Sequence, residues 1–281
     1  MDVSKIQKLG LHHRQAFQED GAVLIESLLS AEQIADCRKA YELGMTNPGP
    51  YLQQFEKGSE GRTYNDVANP NVVEVMNGLV RSFPFGELFS ALWGSDHVWF
   101  LSEEVFAKEG GNIGRTQWHQ DLAYLPVIGE HLANVWISFE TLPKKNSLEF
   151  VVGSHRGPAY NGSMLNPDDP TDPLWDDDRW PRLPNIEAIR QRDPGVLDIV
   201  SWAVNPGDVL VFHPGSLHGG APVDGDCPSR HTLTLRFFGD LAFFRALPSK
   251  SRANYRAPHL EHIMNLKEGD PYRSPFYVQL C

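Results

Sequence analysis

The distribution of apolar and polar residues divides the chain into a helical first third and a strand-rich remainder. In EDGAVLIESLLSAEQIADCRKAYELG (19–44), the apolar run AVLI predicts a short strand. Ser30 then starts a capping-box pattern, and apolar residues recur at helical spacing until Gly44, where we expect the helix to end. The stretch NVVEVMNGLVRSFPFGELFSALWG (71–94) predicts two more helices, separated around Pro84.

From His97 the pattern changes to short runs rich in β-branched and aromatic residues, separated by Gly and Pro turns. Because no helices recur between these runs, they favour a sandwich or jelly roll over a doubly wound sheet. We therefore predict a mainly β protein, a double-stranded β-helix (jelly roll) with supporting N-terminal α-helices. One domain is expected over 1–281, with helical support over about 1–95, the jelly-roll core over about 96–245 and a C-terminal extension over 246–281.

Composition narrows the classes of partner. The 281 residues carry a formal net charge of -11, which argues against a nucleic-acid or anionic-membrane partner because both need a basic face. The cysteines Cys37, Cys227 and Cys281 are odd in number and lack C-x-x-C spacing, so neither a disulfide framework nor a zinc knuckle is indicated. No window is apolar enough for a signal peptide or a membrane span. We expect a cytoplasmic protein, and its oligomeric state stays open.

Candidate metal chemistry begins in the stretch QWHQDLAYLP. His119 and Asp121 lie two residues apart, so on a strand their side chains share a face and supply two of the three ligands of a non-haem Fe(II) site. A surface or capping pair is the alternative, because H-x-D recurs by chance. The third ligand is expected from NPGDVLVFHPGSLHGGAP, where His218 follows a turn and precedes two glycines. His213, directly before a proline, is interpreted as a packed structural residue.

A candidate anion-binding arginine follows in SRHTLTLRFFGD. Arg230 opens the strand after the proposed third ligand. A 2-oxoacid chelated by iron needs its distal carboxylate held, and arginine does so bidentately while always charged. Arg236 is the rival, because alternate residues from Arg230 to Arg236 share one face of a strand. For either side chain, the alternative is a rim arginine in a surface ion pair.

Taken together, these stretches resemble the phytanoyl-CoA dioxygenase family, a branch of the Fe(II)- and 2-oxoglutarate-dependent oxygenases. KEGGNIGRTQWHQDLAYLP, VWISFETL, SLEFVVGSHRG, NPGDVLVFHPGSLHGGAP and SRHTLTLRFFGD follow the family's order and spacing from about Phe100 to Asp240. The chain departs from many members in KKNSLEF, which lacks their glycine, so the turn there is expected to differ. The resemblance implies a jelly roll.

By motif position, the resemblance implies His119, Asp121 and His218 as iron ligands and Arg230 on the 2-oxoglutarate carboxylate. It also implies oxidation of an unactivated C–H bond by O2, with release of succinate and CO2 from 2-oxoglutarate. Related halogenases have a small residue in place of the aspartate. The presence of Asp121 therefore favours hydroxylation, desaturation or ring closure.

Three further residues are assigned by the resemblance alone. Thr116 and Trp136 fall where family members line the 2-oxoglutarate site, although a backbone-bonded strand threonine and a core tryptophan are the alternatives. Lys108 matches a position that faces the substrate in some members, and an ordinary exposed lysine is the simpler interpretation.

The substrate is less constrained. An acidic chain with the segment DDPTDPLWDDDRWPRLP (168–184) fits a polyanionic acyl-CoA poorly. Tyr124, Trp175 and Trp180 suit an apolar or cationic small molecule, such as a secondary metabolite or an amino-acid derivative, and Arg236 is a further candidate for substrate binding. The acidic segment is either a solvated excursion or a lid over the site.

Three other functions stay open. These are an acyl-CoA hydroxylase, a cupin-type metal enzyme that does not use 2-oxoglutarate, and a binding module with a vestigial site. Ordinary structural roles are expected for His12, His13, His97, His131, His155, His231, His259 and His262.

Overall fold

A computed structural model describes residues 11–56, 61–164, 166, 168–253, 255, 257 and 259–281. The α-helices in these residues are α1 (Leu11–Asp20), α2 (Ala31–Thr46), α3 (Val73–Ser82), α4 (Phe85–Trp93) and α5 (Ile186–Arg192).

The caps and breaks that the sequence predicts for these helices are present, with one exception. The Ser30 hydroxyl accepts a hydrogen bond from the Gln33 amide at 3.2 Å, and the Gln33 side chain accepts one from the Ser30 amide at 2.9 Å, which completes the capping box of α2. The expected end at Gly44 is wrong, because α2 continues to Thr46. A Cβ at Gly44 would lie 2.8 Å from the Val105 side chain, so this glycine allows close helix–sheet contact.

Fourteen strands are found in the described part of the chain. They are β1 (Ala22–Ile25), β2 (Gln53–Glu56), β3 (Arg62–Val67), β4 (Val98–Glu109), β5 (Thr116–His119), β6 (Val127–Gly129), β7 (Leu132–Ser138), β8 (Leu148–Val151), β9 (Ile199–Ser201), β10 (Val209–Phe212), β11 (His218–Gly220), β12 (Ser229–Gly239), β13 (Ala242–Phe244) and β14 (Val278–Gln279).

These strands form the two antiparallel sheets of a jelly roll. The larger sheet has the order β1-β10-β7-β12-β4-β3-β2, with β14 also beside β4, and the smaller sheet has the order β5-β11-β8-β9. β6 and β13 form a separate pair. The predicted fold class is confirmed, since the strands are antiparallel and the helices precede or flank them.

The two faces of the larger sheet differ in chemistry. Alternate residues of β12, Leu233 and Leu235, join the main hydrophobic cluster with residues of α2, α3 and α4. The alternate residues Thr232, Thr234 and Arg236 belong to the opposite face of the strand, toward the smaller sheet. They are buried although they are polar. A buried polar surface therefore lines the space between the two sheets, and this space positions the candidate site.

The first 95 residues contribute more than the predicted helical support. β1 pairs with β10, and β2 and β3 extend the larger sheet beyond β4. The strand β3, RTYNDV, is mostly polar, with an Asn-Asp pair and only alternate residues buried. Its pairing with β4 depends on residues some 40 positions away, which explains why local periodicity did not predict it.

The acidic segment 168–184 contains no helix or strand. It is attached to the C-terminal part of the chain, because Trp175 forms an isolated bridge with Ser251, and the Arg252 amide donates to the Leu174 carbonyl at 2.8 Å. Trp175 itself is only 4% exposed. A freely solvated excursion is therefore the wrong interpretation of its centre. None of the helices described above is both long and apolar enough to cross a membrane.

Candidate active site

The pairing of β5 with β11 brings the two candidate histidine ligands together. His119 ends β5 directly opposite His218, the first residue of β11, and their ring centroids are 4.2 Å apart. Asp121 opens a short 3-10 turn (Asp121–Tyr124) immediately after β5. Its Oδ1 lies 3.3 Å from His119 Nε2 and 3.7 Å from His218 Nε2. Two imidazole nitrogens and one carboxylate oxygen thus converge from one side, as a facial metal site requires.

Backbone carbonyls fix the orientation of both imidazoles. Nδ1 of His119 lies 2.8 Å from the Gln117 carbonyl, and Nδ1 of His218 lies 2.9 Å from the Ser216 carbonyl. Since a carbonyl oxygen only accepts, each Nδ1 carries a proton, and Nε2 is the nitrogen of each ring that a metal would bind in place of a proton. Burial, followed by the nearby His119, lowers the pKa of His218 to about 4, so its ring is neutral at neutral pH.

The second oxygen of Asp121 is held by the larger sheet. Oδ2 accepts hydrogen bonds from Asn134 Nδ2 at 2.7 Å and Arg236 Nη2 at 3.3 Å, and the same Nη2 also pairs with Glu104. Burial opposes ionisation of Asp121, but the Arg236 guanidinium and then the hydrogen bond with His119 hold its pKa well below the usual range. The carboxylate is therefore ionised, with Oδ1 directed at both histidines.

Asn134 and Glu104 were not identified from the sequence. Asn134 lies on β7 two residues before Trp136, so the alternation of that strand places both side chains on the inner face. This spacing was the available signal. Glu104 reaches the site through the pairing of β4 with β12, which no local pattern reports.

Arg230 occupies a buried position without a carboxylate. It is 2% exposed, and among the described residues no ion pair reaches it. Its guanidinium lies 4.8 Å from the Phe106 ring and 5.7 Å from the Trp136 ring, and its Nε has no hydrogen-bond partner. The neighbouring Thr232 hydroxyl is also buried and without a partner. Burial lowers the pKa of Arg230 to about 10, so the side chain stays cationic at neutral pH.

These unmet donors make the pocket suitable for a carboxylate. A buried cation without a partner is costly, and a bound anion removes that cost. The donor set at the other end, two imidazoles and one carboxylate, suits Fe(II). The residues present therefore fit both an iron ion and a 2-oxoacid dianion.

Lys108 is not the exposed side chain that the simpler interpretation predicted. It is 3% exposed, lies opposite Arg230 in the register of β4 and β12, and donates to the Gly114 carbonyl at 2.7 Å and the Ala221 carbonyl at 3.1 Å. Burial, followed by the neighbouring Arg230, lowers its pKa to about 6. The side chain therefore belongs to the Arg230 end of the site.

The remaining predicted residues lie around these groups. Thr116 begins β5 opposite Gly220, and Trp136 is buried beside Arg230. The Tyr124 ring is 6.5 Å from the His119 ring, while Trp175 donates from Nε1 to the Ala123 carbonyl at 2.9 Å. The other candidate aromatic residue, Trp180, lies 4.3 Å from the Arg245 guanidinium.

Gln120, between the two candidate ligands of the H-x-D motif, is a buried residue of the candidate site that the sequence reasoning missed. It is 2% exposed, and its Nε2 donates to the Gly215 carbonyl at 2.6 Å and the Pro158 carbonyl at 3.2 Å. Its Oε1 accepts from the Tyr160 amide at 2.8 Å. One side chain thus ties the first two ligands to the loop that precedes His218.

His213 has the structural surroundings expected for it. Its Nδ1 accepts from the Gly215 amide at 3.0 Å, so Nε2 carries the proton and donates to the Gly129 carbonyl at 2.9 Å. Both ring nitrogens are therefore occupied by backbone groups, which leaves neither for a metal.

Sequence comparison decides the family. Residues 17–232 match the phytanoyl-CoA dioxygenase (PhyH) family. The chain belongs to this family. As a PhyH protein it is an iron- and 2-oxoglutarate-dependent dioxygenase, which confirms the enzyme class and the cofactors Fe(II), 2-oxoglutarate and O2 that the sequence predicted. No curated protein matches the chain.

Solved structures share the fold of this PhyH protein. The non-haem α-ketoglutarate-dependent carbocyclase SnoK from nogalamycin biosynthesis is similar with a TM-score of 0.68 and 18% identity, over 98% of each chain. The epimerase SnoN, in complex with Fe3+, α-ketoglutarate and nogalamycin RO, gives 0.66 and 17% over 100% of each chain. EvdO2 from Micromonospora carbonacea var. aurantiaca, complexed with 2-oxoglutarate, gives 0.57 and 19%, over 85% of this chain and 94% of its own.

Proposed function

We propose that His119, Asp121 and His218 hold Fe(II), that Arg230 binds the distal carboxylate of 2-oxoglutarate, and that the enzyme oxidises an unactivated C–H bond of a small organic molecule. The observation that carries this proposal is the contrast between two groups of buried residues. Three ligand atoms converge with both imidazoles oriented by backbone carbonyls, while Arg230 is buried without a carboxylate partner among the described residues. When bound, iron and 2-oxoglutarate would supply the chemistry by which O2 oxidises the C–H bond, with 2-oxoglutarate converted to succinate and CO2.

The protein's contribution is orientation and exclusion of water. Asn134 and Arg236 occupy Asp121 Oδ2, which leaves Oδ1 as the ligand atom. The rings of Phe150, on the smaller sheet, and Phe212, on the larger sheet, lie 5.9 Å and 4.8 Å from the ring of His218, so apolar groups from both sheets cover this candidate ligand. Strong metal–ligand interactions are favoured in such a dry site.

Residues around the 2-oxoglutarate end have a separate role. Thr116 and Trp136 are assigned to this pocket, with the Trp136 ring beside Arg230. The family resemblance places Lys108 on the substrate side, but its position opposite Arg230 supports a place beside the cosubstrate. Because burial lowers its pKa to about 6, Lys108 is mostly neutral at neutral pH, and a bound dicarboxylate would raise that pKa and favour the charged form.

The substrate is proposed to enter from the side of Tyr124, Trp175 and Arg236. Tyr124 is the aromatic residue nearest His119, and Arg236 lies against Asp121. SnoN binds nogalamycin RO, a small molecule, and a comparable secondary metabolite or an amino-acid derivative suits the aromatic residues here. The net charge of -11 argues against an acyl-CoA, which carries several phosphates.

The test is an anaerobic titration of the metal-free protein with Fe(II) and 2-oxoglutarate, followed by the weak visible charge-transfer band of a chelated 2-oxoacid. We expect the band in the parent, its loss in His218→Ala and a much weaker band at equal 2-oxoglutarate in Arg230→Ala. Iron binding without any band would favour a cupin-type enzyme that does not use 2-oxoglutarate. Succinate release would then screen substrates, and stimulation by acyl-CoA esters alone would contradict the substrate proposal.

A further inference from the structure

Three successive backbone carbonyls of the Asp121–Tyr124 turn are each bonded to a side chain from far along the sequence. Arg245 Nη2 donates to the Leu122 carbonyl at 2.5 Å. Trp175 Nε1 donates to the Ala123 carbonyl at 2.9 Å, and the Tyr255 hydroxyl donates to the Tyr124 carbonyl at 2.9 Å. We refer to Trp175, Arg245 and Tyr255 as the clamp.

The carbonyls at the end of a short 3-10 turn are the groups that its own hydrogen bonding leaves unmet. Within the turn and its cap, Leu125 donates to the Leu122 carbonyl at a long 3.4 Å. The clamp thus supplies the outer hydrogen bonds of the turn that begins with a proposed iron ligand.

The clamp residues come from two segments that are joined to each other. Trp175 belongs to the acidic segment 168–184, whereas Arg245 and Tyr255 follow β13. The Asp176 amide donates to the Lys250 carbonyl at 3.1 Å, and the Trp175 and Tyr255 rings meet edge to face with centroids 5.7 Å apart. The two segments therefore act on the turn as one packed unit.

Burial and aromatic contacts fix the clamp side chains in place. The Tyr255 ring packs edge to face on Tyr124 with centroids 5.6 Å apart, and the Arg245 guanidinium lies over Trp180. Trp175 is almost fully buried. Donors immobilised in this way hold a backbone segment at little further cost in side-chain entropy, unlike flexible surface side chains.

We propose that Trp175, Arg245 and Tyr255 are positioning residues for the metal ligand Asp121. The inference rests on the proposed function, which makes the metal iron. The carboxylate of Asp121 is restrained at its tip by Asn134 and Arg236, while the clamp restrains the backbone that carries it. Rotation of the turn would move Oδ1 away from the two histidine nitrogens, so the clamp contributes to the geometry of the metal site and to its affinity.

The test compares the double variant Trp175→Phe/Tyr255→Phe with Tyr64→Phe. The double variant removes two of the three clamp hydrogen bonds and keeps an aromatic ring at each position, the same ring size at 255 and a smaller ring at 175. Tyr64→Phe is the matched control, because its buried hydroxyl donates to another backbone carbonyl, that of Gly44, at 3.3 Å and lies outside the clamp. Fe(II) affinity is measured anaerobically with 2-oxoglutarate present, together with the charge-transfer band, the free energy of unfolding, and amide hydrogen exchange across the turn in the metal-free protein.

We expect the Fe(II) dissociation constant of the double variant to rise about tenfold, as for other residues that orient metal ligands. Its charge-transfer band should shift or weaken, and exchange at the turn should accelerate. Tyr64→Phe should lose stability without a change in Fe(II) affinity, which separates positioning from a merely structural role. If the double variant does not fold, Tyr255→Phe alone carries the same comparison.

Two results would overturn the inference in distinguishable ways. If the parent binds Fe(II) and the double variant binds it equally well with unchanged exchange, the clamp has no positioning role and the proposed function stands. If the parent itself binds no Fe(II), the proposed function falls, and the role in metal binding falls with it.

Discussion

The two ends of β12 present the same residue in opposite electrostatic settings. Arg230 and Arg236 lie on one face of the strand, and both are at least 95% buried. Arg236 pairs with Glu104 and Asp121, whereas Arg230 has aromatic rings around it and no carboxylate among the described residues. A fold does not gain stability by burying an unpaired cation, so the second arginine indicates a ligand.

The comparison also separates two roles that the sequence left as rivals. An arginine paired with carboxylates holds those protein groups in place, while a buried arginine without a carboxylate partner is available to bind an anion. Arg236 is thereby suited to orient Asp121, and Arg230 to receive the 2-oxoglutarate carboxylate. The predictions below test this difference at each end of the strand.

The largest change in stability is expected at the Arg236 end of β12. Arg236→Ala should lower the free energy of unfolding of the metal-free protein by about 3–5 kcal/mol, because Glu104 and Asp121 would be left as buried charges without their partner. Urea unfolding measures the loss. Arg236→Lys keeps one cation and should lose less. A stability within error of the parent would mean that the two carboxylates do not depend on Arg236.

At the unpaired end, stability and ligand affinity should respond differently. Arg230→Met retains an apolar stem between Phe106 and Trp136 and removes only the unpaired charge, so the unfolding midpoint without ligand should not fall. Affinity for 2-oxoglutarate with Fe(II) should drop about 100-fold, or roughly 3 kcal/mol. Thermal midpoints with and without 2-oxoglutarate, under anaerobic conditions, measure both quantities. Retained stabilisation by 2-oxoglutarate in the variant would assign its carboxylate to another residue.

A site residue could be predicted from the sequence when its role depends on a pattern within a few neighbouring residues. The H-x-D spacing and the turn before His218 specify ligand types over a few residues, and the structure brings these three side chains together. Arg230 could be proposed because it opens the strand that follows. The jelly roll itself followed from short β-rich runs without intervening helices.

The missed residues share a different property. Asn134, Glu104 and Gln120 are ordinary polar residues whose roles arise only when distant strands and loops meet. The pairing of β3 with β4 and the clamp likewise depend on contacts between segments far apart in the chain. Local periodicity carries no information about such pairings, since it reports only which face of one element is buried.

An intermediate loss of stability is expected for substitution of Gln120, which connects the His119–Asp121 segment with the loop before His218. Gln120→Leu would leave the Gly215 carbonyl and the Tyr160 amide without their side-chain partners in a buried site, at a loss of about 1–3 kcal/mol of unfolding free energy. Gln15→Leu is the control, because that side-chain amide bonds only to Glu19 on the exposed face of α1. An equal effect of the two substitutions in urea would contradict a special role for the buried amide.

The smallest change in stability is expected for His231, the neighbour of Arg230 on β12. Its side chain connects β12 with Glu109 at the end of β4 and with Glu140 just after β7. Its Nδ1 lies 2.8 Å from Glu140 and its Nε2 lies 2.9 Å from Glu109, so both nitrogens donate only when the ring is protonated. Hydrogen bonding to Glu140, opposed by burial and aided by Glu109, raises the pKa of His231 above its ordinary 6.5. A raised pKa in the folded state gives stabilisation that is complete below the unfolded pKa and is lost as pH rises through the folded one.

Unfolding free energy should therefore fall between pH 6 and pH 9, and His231→Gln should reduce that fall by about 1 kcal/mol, since partial exposure screens the charges. Urea unfolding at the two pH values measures the difference, with His12→Gln in exposed α1 as the control. An unaltered pH dependence in His231→Gln would show that another group titrates. The informative result is a smaller pH dependence of stability in His231→Gln together with 2-oxoglutarate binding that weakens at pH 9 in the parent but not in the variant. It would indicate that the His231 imidazolium helps to hold the Arg230 end of β12 in register.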